Sequence, residues 1–194
     1  MDKHRLEAFS DGVLAILITI LVLELKVPHG TEITSLAPLL PVFLTYVLSF
    51  AYLGIYWNNH HHLLQLCSRV TGLMLWANLV LLFWLSLIPF ATGWMGENHF
   101  ATWPTALYGV VLLMAALSYT WLQTLIIRAE GPDSLLAQAV RADWKGKLSL
   151  ALYTLAIPVS FRLGWLSLAI YVVVALIWLV PDRRIEKIAS HAPH

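Results

Sequence analysis

Ser10 and Asp11 stand at the entrance to the first long apolar run, just ahead of Gly12, Val13 and Leu14. A carboxylate at the edge of an apolar environment is costly unless it is paired. An acid placed there marks an ion or proton site, or a bond that pins helices together through Arg5 or a nearby histidine. Further along, Ile16, Ile20 and Leu23 fall at i, i+4 and i+7, on one helical face, with Thr19 beside them. Such a stripe is usually packing. Around a symmetry axis it would form stacked apolar rings, and narrow apolar rings gate by dewetting. Glu24 closes the segment, as an acid that draws cations to a mouth or as a solvated helix end.

The second cluster is Trp57-Asn58-Asn59-His60-His61-His62. Consecutive helix residues point ~100° apart, so three adjacent histidines cannot converge on one ion. No metal site is expected. Instead His60 or His61 should turn inward to bond Asp11 or Ser10, while the others face the interface. Cys67 is the only cysteine, which excludes a disulfide framework and reads as a small buried hydrophobe. Asn78, Ser86, Ser118, Thr120, Gln123 and Thr124 lie inside apolar runs, where polar groups more often bond across helices than bind substrate. Glycine-rich phosphate loops and Ser-His-Asp elements are absent, so neither an enzyme nor a cofactor is expected.

These residues need long apolar helices to carry them. Of 194 residues, 59% are apolar and only 12% charged, with a mean hydropathy of +0.74. Soluble domains carry about 25% charge. Nine tryptophans and seven tyrosines, many near the ends of apolar runs, suit the headgroup level of a bilayer. A net charge of +1 argues against nucleic-acid binding. Crossing a ~30 Å hydrocarbon core takes about 20 helical residues. The runs predict an all-α integral membrane protein, one unit over 1–194, with spans at 6–27, 36–57, 70–91, 106–127, 145–161 and 163–180. The last two come from one long apolar region hinged around Pro158 to Gly164.

Six spans put both termini on one side. Ten of the twelve Lys and Arg then share that side, with only Lys26 and Arg162 opposite. The positive-inside rule makes it the cytoplasmic side. Six short spans leave little room for a pore of their own, so a homo-oligomer with closed symmetry is expected.

The run Arg5, Phe9, Ser10, Asp11 resembles the R-x-x-x-F-S-D signature of the lysosomal potassium channel family called transmembrane protein 175, in its prokaryotic form. The likeness extends through Ala15, Ile16, Thr19, Leu23 and Glu24 to the Asn-His-His cluster. It implies a six-helix repeat, one per chain, assembled as a homotetramer in a prokaryotic plasma membrane. It implies that the first helix lines a central pore without a carbonyl selectivity filter, and no Thr-Val-Gly-Tyr-Gly segment occurs here. Ile16, five positions after the motif Asp, would narrow that pore, with Ile20 and Leu23 as further rings and Thr19 as a polar layer. Arg5, Phe9, Ser10, Asp11 and His60 or His61 would hold the helix in place.

The expected function is a potassium-permeable, weakly selective leak, open to other monovalent cations. The alternative is an ion- or proton-coupled secondary transporter using Asp11 and His60 to His62 as a relay. Such transporters usually show inverted repeats and broken helices, which are not evident here.

Overall fold

A computed structural model describes residues 2–141 and 144–179. Its regular elements are helical throughout: α1 (Lys3–Ile20), α2 (Leu40–Gln65), α3 (Gly72–Ser86), α4 (Ile88–Glu97), α5 (Thr102–Glu130), α6 (Leu135–Arg141), α7 (Trp144–Val159) and α8 (Gly164–Leu179). Short 3-10 turns extend α1 through Leu21–Glu24 and precede α2 at Ile33–Leu39. Among the described residues four helical stretches are long and apolar enough to cross a membrane: 3–24, 33–65, 72–97 and 102–130. α7 and α8 have 16 residues each, about 24 Å at 1.5 Å per residue. The polar tail after Val180, with Arg183, Arg184 and Lys187, lies outside the described residues.

Element ends follow local chemistry. The Thr71 hydroxyl accepts from the Met74 N–H and caps α3. The third apolar run continues past 91, bending at Leu87 and running on as α4 to Glu97. Pro89 has no N–H to donate, so the α3 ladder stops and restarts with the proline in the first turn of α4. α5 ends at Gly131, whose φ of 99° is a backbone region that side chains disfavour. The chain turns over Ser160–Leu163 between α7 and α8.

α5 is central and packs on α3, α4, α7 and α8, while α2 packs on α4 and α8. Their shared interior is aromatic and hydroxylic. Ser49 meets Thr92 at 2.6 Å and Tyr108 at 2.9 Å. The Tyr52 hydroxyl donates to the Tyr171 carbonyl at 2.6 Å, and Tyr171 donates to the Thr105 carbonyl at 3.1 Å. Lipid tails are as apolar as leucine, so close packing and such bonds hold membrane helices together. α1 lies at the margin, against α2 and α3.

Candidate functional site

α1 has one face in the bundle and one outside it. Leu6, Ser10, Leu14 and Leu17 are buried, and Leu21 continues their row. The other face carries Phe9, Gly12, Ile16, Thr19, Ile20 and Leu23, all exposed; Ile16 is 58% exposed and Leu23 75%. The Thr19 hydroxyl donates to the Ile16 carbonyl at 2.8 Å, leaving only acceptor capacity toward the open side.

The buried face is bonded through a relay. Ser10 Oγ donates to the Leu6 carbonyl at 2.9 Å. It accepts from Asn78 Nδ2 at 2.9 Å, and Asn78 Oδ1 meets His60 Nε2 at 2.7 Å. Ser10, Asn78 and His60 are all buried. Each role fixes the next: Ser10 spends its proton on Leu6, so Asn78 presents its NH2 to Ser10 and its oxygen to His60. A carboxamide oxygen only accepts, so His60 carries its proton on Nε2. α1, α2 and α3 are joined by three buried side chains.

A second bond sits closer to the surface. Trp57 Nε1 donates to Asp11 Oδ1 at 3.1 Å. The Trp57 ring stacks on His61, centroids 6.3 Å apart. His61 Nε2 accepts from Gln65 Nε2 at 2.9 Å, and His62 also reaches Gln65. His60 points inward, while the His61 and His62 rings lie together on the helix surface, centroids 5.7 Å apart. Among the described residues no three His, Cys, Asp or Glu gather as a metal would need. Lys3 Nζ donates to the Gln65 carbonyl at 2.8 Å, tying the start of α1 to the end of α2.

The inward histidine is therefore His60, and its partner is Asn78 rather than Asp11 or Ser10. Asp11 is held by Trp57, and His61 reaches Asp11 only through the stacked indole. Arg5 is exposed and makes no hydrogen bond or ion pair among the described residues, and Phe9 lies on the open face. Asn78 and Trp57 are the residues that sequence reasoning gave no role toward the first helix. A lone amide in an apolar run must find a partner, which was the available signal for Asn78. Naming that partner needs the fold.

At the other end of α1, Glu24 packs under α4. A Cβ on Gly93 would collide with the Glu24 carboxylate, so glycine there lets the acid lie against the helix. Glu24, Ile20, Ser86 and Glu97 line one cleft. Lys26 Nζ pairs with Glu97 at 2.6 Å, and this carboxylate holds the exposed ammonium above its ordinary pKa.

A family model described as the endosomal/lysosomal potassium channel TMEM175 matches residues 5–89. A protein named as a potassium channel in Chryseobacterium sp. (strain P1-3) is 57% identical over 187 residues, 96% of this chain and 97% of that one. The chain belongs to the TMEM175 family. A TMEM175 homologue from Chamaesiphon minutus, described as a lysosomal potassium-selective channel, has a crystal structure that superposes at a TM-score of 0.81. It is 30% identical, over 92% of this chain and 96% of that one. A potassium channel of that organism is 33% identical over 192 residues, 90% of this chain and 92% of the relative. This chain is thus a prokaryotic, multi-pass membrane member of TMEM175. The region matched by the TMEM175 model holds every residue of the three side-chain bonds that join α1, α2 and α3: Ser10, Asp11, Trp57, His60 and Asn78.

Proposed function

We propose that this chain is one subunit of a homotetrameric, potassium-permeable leak channel whose pore is walled by four copies of α1. The observation that carries this is the split of α1. Its inner face is stapled by buried polar bonds, while Ile16, Thr19, Ile20 and Leu23 stand uncovered in the single chain. The relatives' names, as potassium channels, point the same way.

In this reading α1 to α3 with α4, together with α5, α7 and α8, make six crossings, with both termini cytoplasmic in a prokaryotic plasma membrane. Ile16 forms the narrowest ring and limits hydrated ions by its apolar width. Side-chain rings do not replace a hydration shell as a carbonyl cage does, so selectivity is modest and other monovalent cations pass. Glu24 adds negative charge near the outer mouth. Arg5 and Phe9 act at contacts between subunits, since neither is satisfied among the described residues of one. No span carries a row of arginines, so the conductance is leak-like. No cofactor or enzymatic step enters.

The test is potassium flux into proteoliposomes beside a sodium control. Non-saturating flux that favours potassium modestly supports the channel. Saturable, concentrative uptake would instead favour a coupled transporter.

A further inference from the structure

On the side of α2 away from α1, helices α2, α5, α7 and α8 line a half-open cavity of about 530 Å³ when the open space at its mouth is counted, of which about 50 Å³ admits the centre of a water-sized sphere. Rings make most of its wall: Tyr56 from α2, Tyr119 from α5, Tyr153 from α7 and Trp178 from α8. Among the described residues no acidic, basic or histidine side chain lines it, and the Lys145 ammonium stands 6.0 Å from the centre of the Trp178 ring. Several wall dipoles are spent locally. Tyr119 donates to the Asn59 carbonyl at 3.1 Å, Asn59 to the Ile55 carbonyl at 2.8 Å, and Trp178 to Ser149 at 2.8 Å.

Gln123 is the exception. It lines the cavity from α5 and is only 7% exposed, yet its carboxamide makes no hydrogen bond among the described residues. A carboxamide carries two donors and an acceptor; no fully buried side-chain nitrogen or oxygen lacks a partner among the described residues, so the unbonded Gln123 amide is open to whatever fills the cavity. The fold therefore presents an unanswered amide inside an aromatic chamber.

We propose that this cavity is a binding site for a small neutral aromatic alcohol, a ligand of the phenol class. Its hydroxyl bonds Gln123, and its ring packs edge and face against Tyr56, Tyr119 and Trp178. None of the described lining residues offers a cation the counter-charge it would need once desolvated. A lipid acyl chain would fill the chamber but give Gln123 nothing. Tyr56 and Asn59 share a turn of α2 with Trp57 and His60, so the occupant sits directly behind the bonds that hold α1.

The experiment uses purified full-length protein and 4-bromophenol, with anomalous scattering from co-crystals and calorimetric titration in detergent. Bromine density inside the cavity, and saturable binding weakened at least tenfold by Gln123→Leu, are the expected results. Ala116→Leu, which fills the chamber from α5 without touching the amide, should also abolish binding. This second variant covers the case in which Gln123→Leu fails to fold. Bromine only elsewhere, water alone in the cavity, or affinity unchanged in a folded variant would each overturn the site. None of these readouts depends on ion flux, so failure here leaves the channel reading standing, and failure of that reading leaves this site standing.

Discussion

The Trp57 indole donates to the Asp11 carboxylate across 3.1 Å, joining the second helix to the motif acid of the first. Asp11 is half-buried, and its outward neighbours Phe9 and Gly12 are exposed. This bond orients the start of α1 from one side only.

Trp57→Phe keeps the ring and removes the donor. A hydrogen bond to a charged group contributes about 1.5–3 kcal/mol, so this variant should unfold more readily by roughly that amount. Asp11→Ala should cost the same bond, and the double variant should be little worse than either single one. Chemical denaturation of the three proteins checks this. Fully additive losses would show that Asp11 and Trp57 act separately. Normal tetramer yield with a shifted reversal potential in Asp11→Ala would show that the acid reads ions directly.

Asn78→Leu leaves the Ser10 lone pairs and the His60 Nε2 proton without their partner. Unsatisfied buried groups cost about 1–3 kcal/mol each, and membrane measurements put single polar couplings nearer ~0.6 kcal/mol. The expected loss is therefore about 1–4 kcal/mol, read from unfolding in mixed micelles. Ser10→Ala with Asn78→Leu should be less harmful than the sum of the two.

Much of this architecture was legible in the sequence, and the reason is the solvent. Lipid demands long apolar helices, so the runs that became α1, α2, α5, α7 and α8 announced themselves by length and composition. The bend at Leu87 was not anticipated, although Pro89 signalled it, because the hydropathy of the run continues through the break. Ser10, Asp11 and the histidine cluster were conspicuous as polar groups at the edges of apolar runs. The choice of His60 over His61 was not readable, because one residue rotates a side chain by ~100° and only the packing of α2 on α1 and α3 sets the zero of that angle. Asn78 was visible but anonymous, since spacing along one helix says nothing of its partner on another.

Ile16→Asn tests the proposed constriction. A carboxamide ring is wetter than an isoleucine ring, so flux should rise several-fold and the preference for potassium over sodium should fall. Unchanged flux and selectivity in a folded tetramer would remove Ile16 from that role.

Gly93→Val places a side chain against the Glu24 carboxylate. The atoms struck are the far end of a flexible side chain, which can swing aside, so the cost should fall below the about 1–3 kcal/mol of overpacking in a closed core. Adding Glu24→Ala should recover most of the loss, because it deletes the atoms being struck. A thermal melt of the single and double variants shows whether recovery occurs.

Cys67 gives a pH prediction. The thiol is buried beyond the end of α2, and burial, with Glu130 adding negative charge nearby, raises its pKa. A raised thiol pKa leaves less thiolate at any given pH. Iodoacetamide should therefore label the native protein several-fold more slowly than the unfolded chain at pH 8. The gap should narrow as pH rises through the raised value. Equal rates in both states at pH 8 would contradict the burial.

The hydroxyls at the centre of the bundle run from Ser49 to Thr92 and Tyr108, from Tyr52 to Tyr171, and from Tyr171 to Thr105. None of these bonds reaches α1. The central hydroxyl bonds and the outer face of α1 thereby share few obligations. Drift at Ile16, Thr19, Ile20 or Leu23 can change what that face meets without asking the core to be solved again. Lineages that inherit this core are free to vary the open face of α1 one residue at a time.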